Sequence, residues 1–180
     1  MAVDISQGAH YLLTKAVSSI RDEYAGVRAT INGEATTGAY SCPELLPENV
    51  KFTAYPNPPG GGSSWVGMMV MGQAEQAGLA LTQGRTIFDL RVQCGVRYTS
   101  LVAGDVDLTG QDTGWHTSSL MGAAVRTVLV RHLTDFSGIY ICKMRTMRAL
   151  PGDTTGGRDT FVQELLFDVH MITYDPALTT

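Results

Sequence analysis

The stretch "TIFDLRVQCGVRYTS", residues 86–100, alternates apolar and polar side chains almost without a break. Phe88, Leu90, Val92, Cys94, Val96 and Tyr98 fall on one face, and Asp89, Arg91, Gln93, Gly95 and Arg97 on the other. Successive side chains of a strand point to opposite sides, whereas a helix would scatter this pattern around its circumference. The segment is therefore a strand that packs one face on a core. Its other face meets water, a lumen or a neighbouring subunit. Near the end of the chain, 161–174 repeats the signal: Leu165, Phe167, Val169 and Met171 alternate with Glu164, Leu166, Asp168 and His170. Two such strands commit the chain to a sheet with one covered face.

The cover comes from helical periodicity elsewhere. Ile5, Ala9, Leu12, Ala16, Val17, Ile20 and Tyr24 recur at helical spacing and predict a helix over 4–24, with Asp4 or Ser6 capping its first amides. Trp115, Leu120, Ala124, Val128 and Leu129 predict a second helix over 115–133, with Ser118-Ser119 at its N-terminal cap. Further strands are expected at Val27–Ile31, closed by the turn Asn32-Gly33, and at 50–55, 65–71 and 139–147. "PNPPGGGSSW" admits no regular element and reads as an exposed loop. Residues 72–85 fit either a turn of helix or an extended arm, and 99–114 form an acidic, glycine-punctuated connection. The expected fold is α+β: one domain over 1–180 with a mixed, mainly antiparallel sheet on two main helices, an extended arm at 56–85 and a hairpin tip at 149–160.

Composition excludes several classes. A net charge of −4 leaves no basic excess for gripping nucleic-acid phosphates. The three cysteines, Cys42, Cys94 and Cys142, are odd in number and form no metal-ligand spacing; Cys94 and Cys142 lie in apolar-periodic stretches and read as small buried hydrophobes. The first residues carry no basic stretch followed by an apolar run, and no apolar stretch is long enough to span a bilayer, so residence in a reducing cytosol is expected and no membrane contact. Charged residues make up only 17% of the chain, and the cations are ten Arg against three Lys. Interfaces favour arginine over lysine, which fits a surface covered by neighbours.

"RALPGDTTGGRDTF", residues 148–161, resembles a phosphate-gripping loop in composition. A phosphate cradle needs a helix after the glycines, and here a strand follows, so the stretch reads as a long hairpin tip. His10, His116, His132 and His170 show no ligand spacing, and "AGDVDLTGQD" lacks the glycine and terminal glutamate of a calcium loop. No catalytic set, metal site or cofactor is expected.

The order of elements resembles the tail terminator, or tail completion, proteins of long-tailed bacteriophages. The matching pieces are "AHYLLTKAVSSIRDEY" and "SLMGAAVRTVLVRHL" for the helices, and "IFDLRVQCGVRY" and "FVQELLFDVHMITYD" for the strands. The segment 56–85 is longer than such a domain needs. The resemblance implies a non-enzymatic virion protein, assembled in the host cytoplasm, whose subunits close into a hexameric ring. The ring stops tube polymerisation and joins the tail to the head. Its partners would be other copies of itself, the tail tube protein and the head connector or stopper, with DNA passing through the lumen without specific binding. The residues expected at contacts are Arg91 and Arg97 on the outer strand face, Asp153, Arg158 and Asp159 at the hairpin tip, and Trp65, Met68, Met69 and Met71 in the arm. Core packing is the alternative for Trp65 and the methionines. The other readings are a stopper or tube subunit and, from a different class, a small α+β enzyme or ligand-binding domain.

Overall fold

Two long strands side by side form the spine of the molecule: β4, Gln83–Thr99, and β6, Arg158–Tyr174. In this computed structural model, which describes residues 2–34, 40–52, 64–80, 83–99, 108–155 and 158–175, the two pair antiparallel from Gln83↔Tyr174 to Thr99↔Arg158 with no register shift. The unbroken register sorts every side chain onto one of two faces. Phe88, Leu90, Val92, Cys94 and Val96 of β4 join Leu165, Phe167, Val169 and Met171 of β6 in the buried core.

The remaining strands extend this pair on both sides. Strand β3, Ser64–Ala80, runs antiparallel to β4, and β2, Val50–Phe52, pairs parallel with β3. On the opposite side β5, Ile139–Thr155, runs antiparallel to β6, while β1, Val3–Asp4, pairs parallel with the end of β6. The result is the expected α+β architecture: a six-stranded, mixed, mostly antiparallel sheet with two helices on one face.

Helix α1, Gly8–Glu34, buries Leu12, Ala16, Val17, Ile20 and Tyr24. Asp4 caps a single 3-10 turn ahead of it, its carboxylate accepting from the Ser6 amide at 2.8 Å. The strand expected at Val27–Ile31 is instead the last part of this helix. Val27 and Ile31 continue the stripe of Ile20 and Tyr24 at helical spacing and pack on the core. A second, polar stripe explains why the helix runs so far. Arg21 donates to the carbonyls of Pro47 and Val50, Tyr24 to that of Pro43 and Arg28 to that of Cys42. Asn32, expected to make a turn, clasps Cys42 by both its amide (2.7 Å) and its carbonyl (3.2 Å). The helix thus holds the irregular 42–50 segment and delivers β2 to the sheet.

Helix α2, Leu108–His132, begins ahead of its expected start, so Ser118 and Ser119 stand inside the helix and not at its cap. They serve the sheet instead: Gln163, buried on β6, donates to both hydroxyls. The approach is close. A Cβ on Gly122 would lie 2.7 Å from Met147 Cε, so a larger residue there would have to push the methionine methyl aside. Met121, Ala124, Val125, Val128 and Leu129 complete the buried side of α2.

Two further stretches, one left open between helix and arm and one expected as a hairpin tip, are now defined. Residues 72–80 and 83–85 are strand, with a register shift between Val70 and Gly72. The glycine-rich 148–161 stretch is mostly strand too, β5 reaching Thr155 and β6 starting at Arg158. Pro151 falls at a register shift between Leu150 and Asp153, where an edge strand tolerates a residue without an amide donor. The strand expected at 50–55 is β2 as far as Phe52. Residues 53–63, which hold most of the Pro/Gly loop and the start of the expected arm, lie outside the described residues.

Phe167 is fully buried between the helices and the β4–β6 pair. Phe167→Ala is expected to lower the unfolding free energy by about 3–5 kcal/mol, the range for deleting a buried aromatic ring, as measured by urea titration.

Candidate functional site

The face of the sheet turned away from the helices is built by the polar half of each alternation. Along β4 it carries Asp89, Arg91, Gln93, Gly95 and Arg97. Their register partners on β6 are Asp168, Leu166, Glu164, Val162 and Thr160. Strand β3 adds Trp65, Gly67 and Met69, opposite Gly95, Gln93 and Arg91.

At its centre Glu164 is 1% exposed, although alternation alone places it in solvent. Arg91 Nη2 from β4 contacts one of its oxygens, and Gln93 Nε2 lies 3.5 Å from the same atom. From β5 the guanidinium of Arg148 reaches the other oxygen with Nη2 at 2.6 Å and Nε at 2.8 Å. Residues from three adjacent strands therefore converge on one carboxylate. Burial pushes the Glu164 carboxyl up, but hydrogen bonding from Arg148 and the charge and hydrogen bond of Arg91 outweigh it and hold it below its ordinary value. The group is an anion neutralised by two cations, and it ties β4, β6 and β5 together on the side the helices do not cover.

A second cluster lies further along the same face. Asp89 and Asp168 stand directly opposite each other, a like-charge pair that is unfavourable across a ladder. Arg145 of β5 bridges them, at 3.2 Å from Asp89 and 3.4 Å from Asp168. These groups are substantially exposed, so the bridge offsets repulsion more than it adds stability. Asp89, Arg145, Asp168 and His170 line an open depression of about 330 Å³, with Gly72 and Gln73 at its β3 side. His170 is also edge-on to Tyr140 at 5.8 Å.

At the other end Trp65 lies across Gly95, where any Cβ would collide with the indole ring. Trp65 is 3% exposed yet stands outside the main hydrophobic cluster. Its Nε1 and the Nε of Arg91 are buried donors without a hydrogen-bond partner. Each such donor costs about 1–3 kcal/mol of desolvation.

The expected contact residues separate accordingly. Arg91 lies on the outer face as expected but is engaged by Glu164, and Arg97 is half-buried opposite Thr160. Trp65 and Met68 are buried, Met68 in the main core, because β3 is a sheet strand at that point. Met69 is half-buried and Met71, at the register shift, is 53% exposed. Asp153, Arg158 and Asp159 are in the β5–β6 hairpin by backbone pairing, and their side chains lie outside the described residues. The sequence reading missed Glu164, Arg145 and Arg148 as a set. The available signal was the concentration of Arg, Asp and Glu on the polar half of three strands.

Among the described residues no group of His, Cys, Asp and Glu is arranged to hold a metal ion. The free cysteines are buried, and burial raises the thiols of Cys42 and Cys94 and pushes Cys142 up to about 12.

The lowered carboxyl of Glu164 links stability to pH. Its contribution is fully present above the ordinary glutamate value, about 4.3, and is lost as pH falls through the lowered folded value. Glu164→Gln, which leaves two arginines facing a neutral amide, is expected to cost about 3 kcal/mol at pH 7. In urea titrations the gap to the unaltered protein should narrow at pH 3; an unchanged gap contradicts the assignment. No protein-family model matches the chain, and neither does any curated protein, so the role of this face rests on its own geometry.

Proposed function

We propose that the protein is a structural virion subunit that forms a ring at the head-proximal end of a phage tail. It ends tube polymerisation there and joins the tail to the head connector. The observation that carries this reading is a sheet with open edges on two different strands. Strand β5 pairs only with β6, and beyond Met68 β3 pairs only with β4, among the described residues. Open edges invite completion by another strand, and two dissimilar edges on one subunit suit the head-to-tail contacts of a cyclic assembly. Exposed apolar residues sit close to both: Phe52 and Met71 at the β2–β3 end, Tyr140 and Ile141 on β5.

The outer face supports the same reading. Its charges are largely neutralised internally, by Arg91 and Arg148 on Glu164 and by Arg145 on Asp89 and Asp168. Such a face neither grips nor strongly repels a passing polyanion, in keeping with a net charge of −4 and with DNA that passes without specific binding. No helix among the described residues is long and apolar enough to cross a membrane.

Native mass by light scattering, with negative-stain imaging of the same sample, tests the proposal. A discrete ring with an open centre is expected, hexameric by the family resemblance. Open-ended tubes would replace the terminator with a tube subunit. A monomer that also fails to bind the ends of purified tail tubes would contradict the proposal.

A further inference from the structure

We infer that strand β5 is a clasp: it opens as a unit, while the β4–β6 ladder stays closed, when the carboxylates of the outer face lose their charge. The inference concerns a single copy of the chain and holds whether or not copies form a ring. Burial is the first support. Among the described side chains of β5 only Ile139 and Cys142 are buried, with Met144 and Met147 packed half-buried against the core. Its partner β6 buries Phe161, Leu165, Phe167, Val169 and Met171. A segment with few buried apolar contacts opens at a lower free energy than the core it rests on.

The ladder is the second support. The pairing of β4 with β6 has no register shift, whereas β5 slips against β6 at Ile139/Ile141, Met144/Thr146 and Leu150/Asp153. Each slip interrupts the hydrogen bonding between the strands and leaves β5 with a residue that has no opposite partner. Tyr140 and Arg145 are two of these residues. Tyr140 meets the ring of His170, and Arg145 bridges Asp89 and Asp168 beside that same histidine. Charge is the third support. Arg145 and Arg148 carry β5 onto three acids of β4 and β6, and Arg91 and Gln93 of β4 also face Glu164. Burial pushes the Glu164 carboxyl up, but Arg148 and Arg91 hold it below its ordinary value. Its attraction is therefore present at neutral pH and is lost as pH falls through that lowered value. Arg91 and Arg148 then face a neutral group, and the outer side of β5 loses its tie. An opened β5 leaves that edge of β6 unpaired, and an unpaired edge can be completed by another strand.

Thiol labelling of the full chain tests this, because Cys142 lies on β5, Cys94 on β4, and both are buried. A pyridyl disulfide reports thiols in acid as well as at neutral pH, and peptide mass separates the two sites. At pH 7 Glu164→Gln is expected to raise the Cys142 rate about tenfold or more, since breaking a buried ion pair is costly, while Cys94 keeps its rate. Arg148→Gln, at an exposed position, is the milder variant and should act in the same direction. In the unaltered protein, acidification should raise labelling of Cys142 before that of Cys94. Equal rises at the two cysteines would show that the chain unfolds as a whole and would overturn the inference. Unchanged labelling of Cys142 in both variants would show that these charges do not hold β5, and would overturn it as well.

Discussion

The uninterrupted pairing of β4 with β6 is the constraint on which the other features depend. A single slip in that ladder would turn Phe88, Leu90 and Val92 outward and carry Arg91 and Gln93 into the core, because side chains change face with every residue. With the register held, one face presents a continuous apolar surface to α1 and α2. The other collects the charges. The helices then need only fit what the ladder offers, as they do where Gly122 of α2 approaches Met147 and where Gly8 of α1 sits on the ring of Phe88.

The outer face solves a problem that the same register creates. Asp89 meets Asp168 across the ladder, and Glu164 is buried with no helix above it. Each acid is answered from β5, by Arg145 and Arg148, with Arg91 of β4 assisting at Glu164. Strand β5 is thereby fastened to the sheet through ion pairs on one side and through Cys142, Ile139 and Met147 on the other. A buried carboxylate between two arginines contributes more to fixing the alignment of three strands than to net stability, since desolvation takes back much of the attraction.

Much of this was legible in the residues alone. Strict alternation at 86–98 and 161–174 identified the two central strands, and the apolar stripes identified both helices. The errors have physical causes. Val27 and Ile31 belong to a helical stripe, but their β-branched side chains and the Asn32-Gly33 pair also fit a strand and turn; what decides is Asn32 bonding to Cys42, ten positions away. Ser118 and Ser119 resemble caps, and only the distant Gln163 reveals their use inside the helix. The Gly/Pro content of 148–161 pointed to a long hairpin tip; the β5–β6 hairpin is there, but its strands run on through most of that stretch, with a register shift at Pro151. Glu164 alternates as a solvent residue and is buried by arginines from two other strands. Partners far apart in sequence leave no local trace, and that separates the legible fold from the less legible site.

In the proposed ring, copies join through the sheet edges that are unpaired among the described residues. Backbone hydrogen exchange measured by mass spectrometry, comparing dilute protein with protein concentrated enough to assemble, addresses this directly. Exchange should slow on assembly in β5 at 139–150 and in β3 at 69–76, with the exposed surfaces of α1 and α2 unchanged. Slowing confined to the helices, with both strand edges exchanging as before, would contradict it.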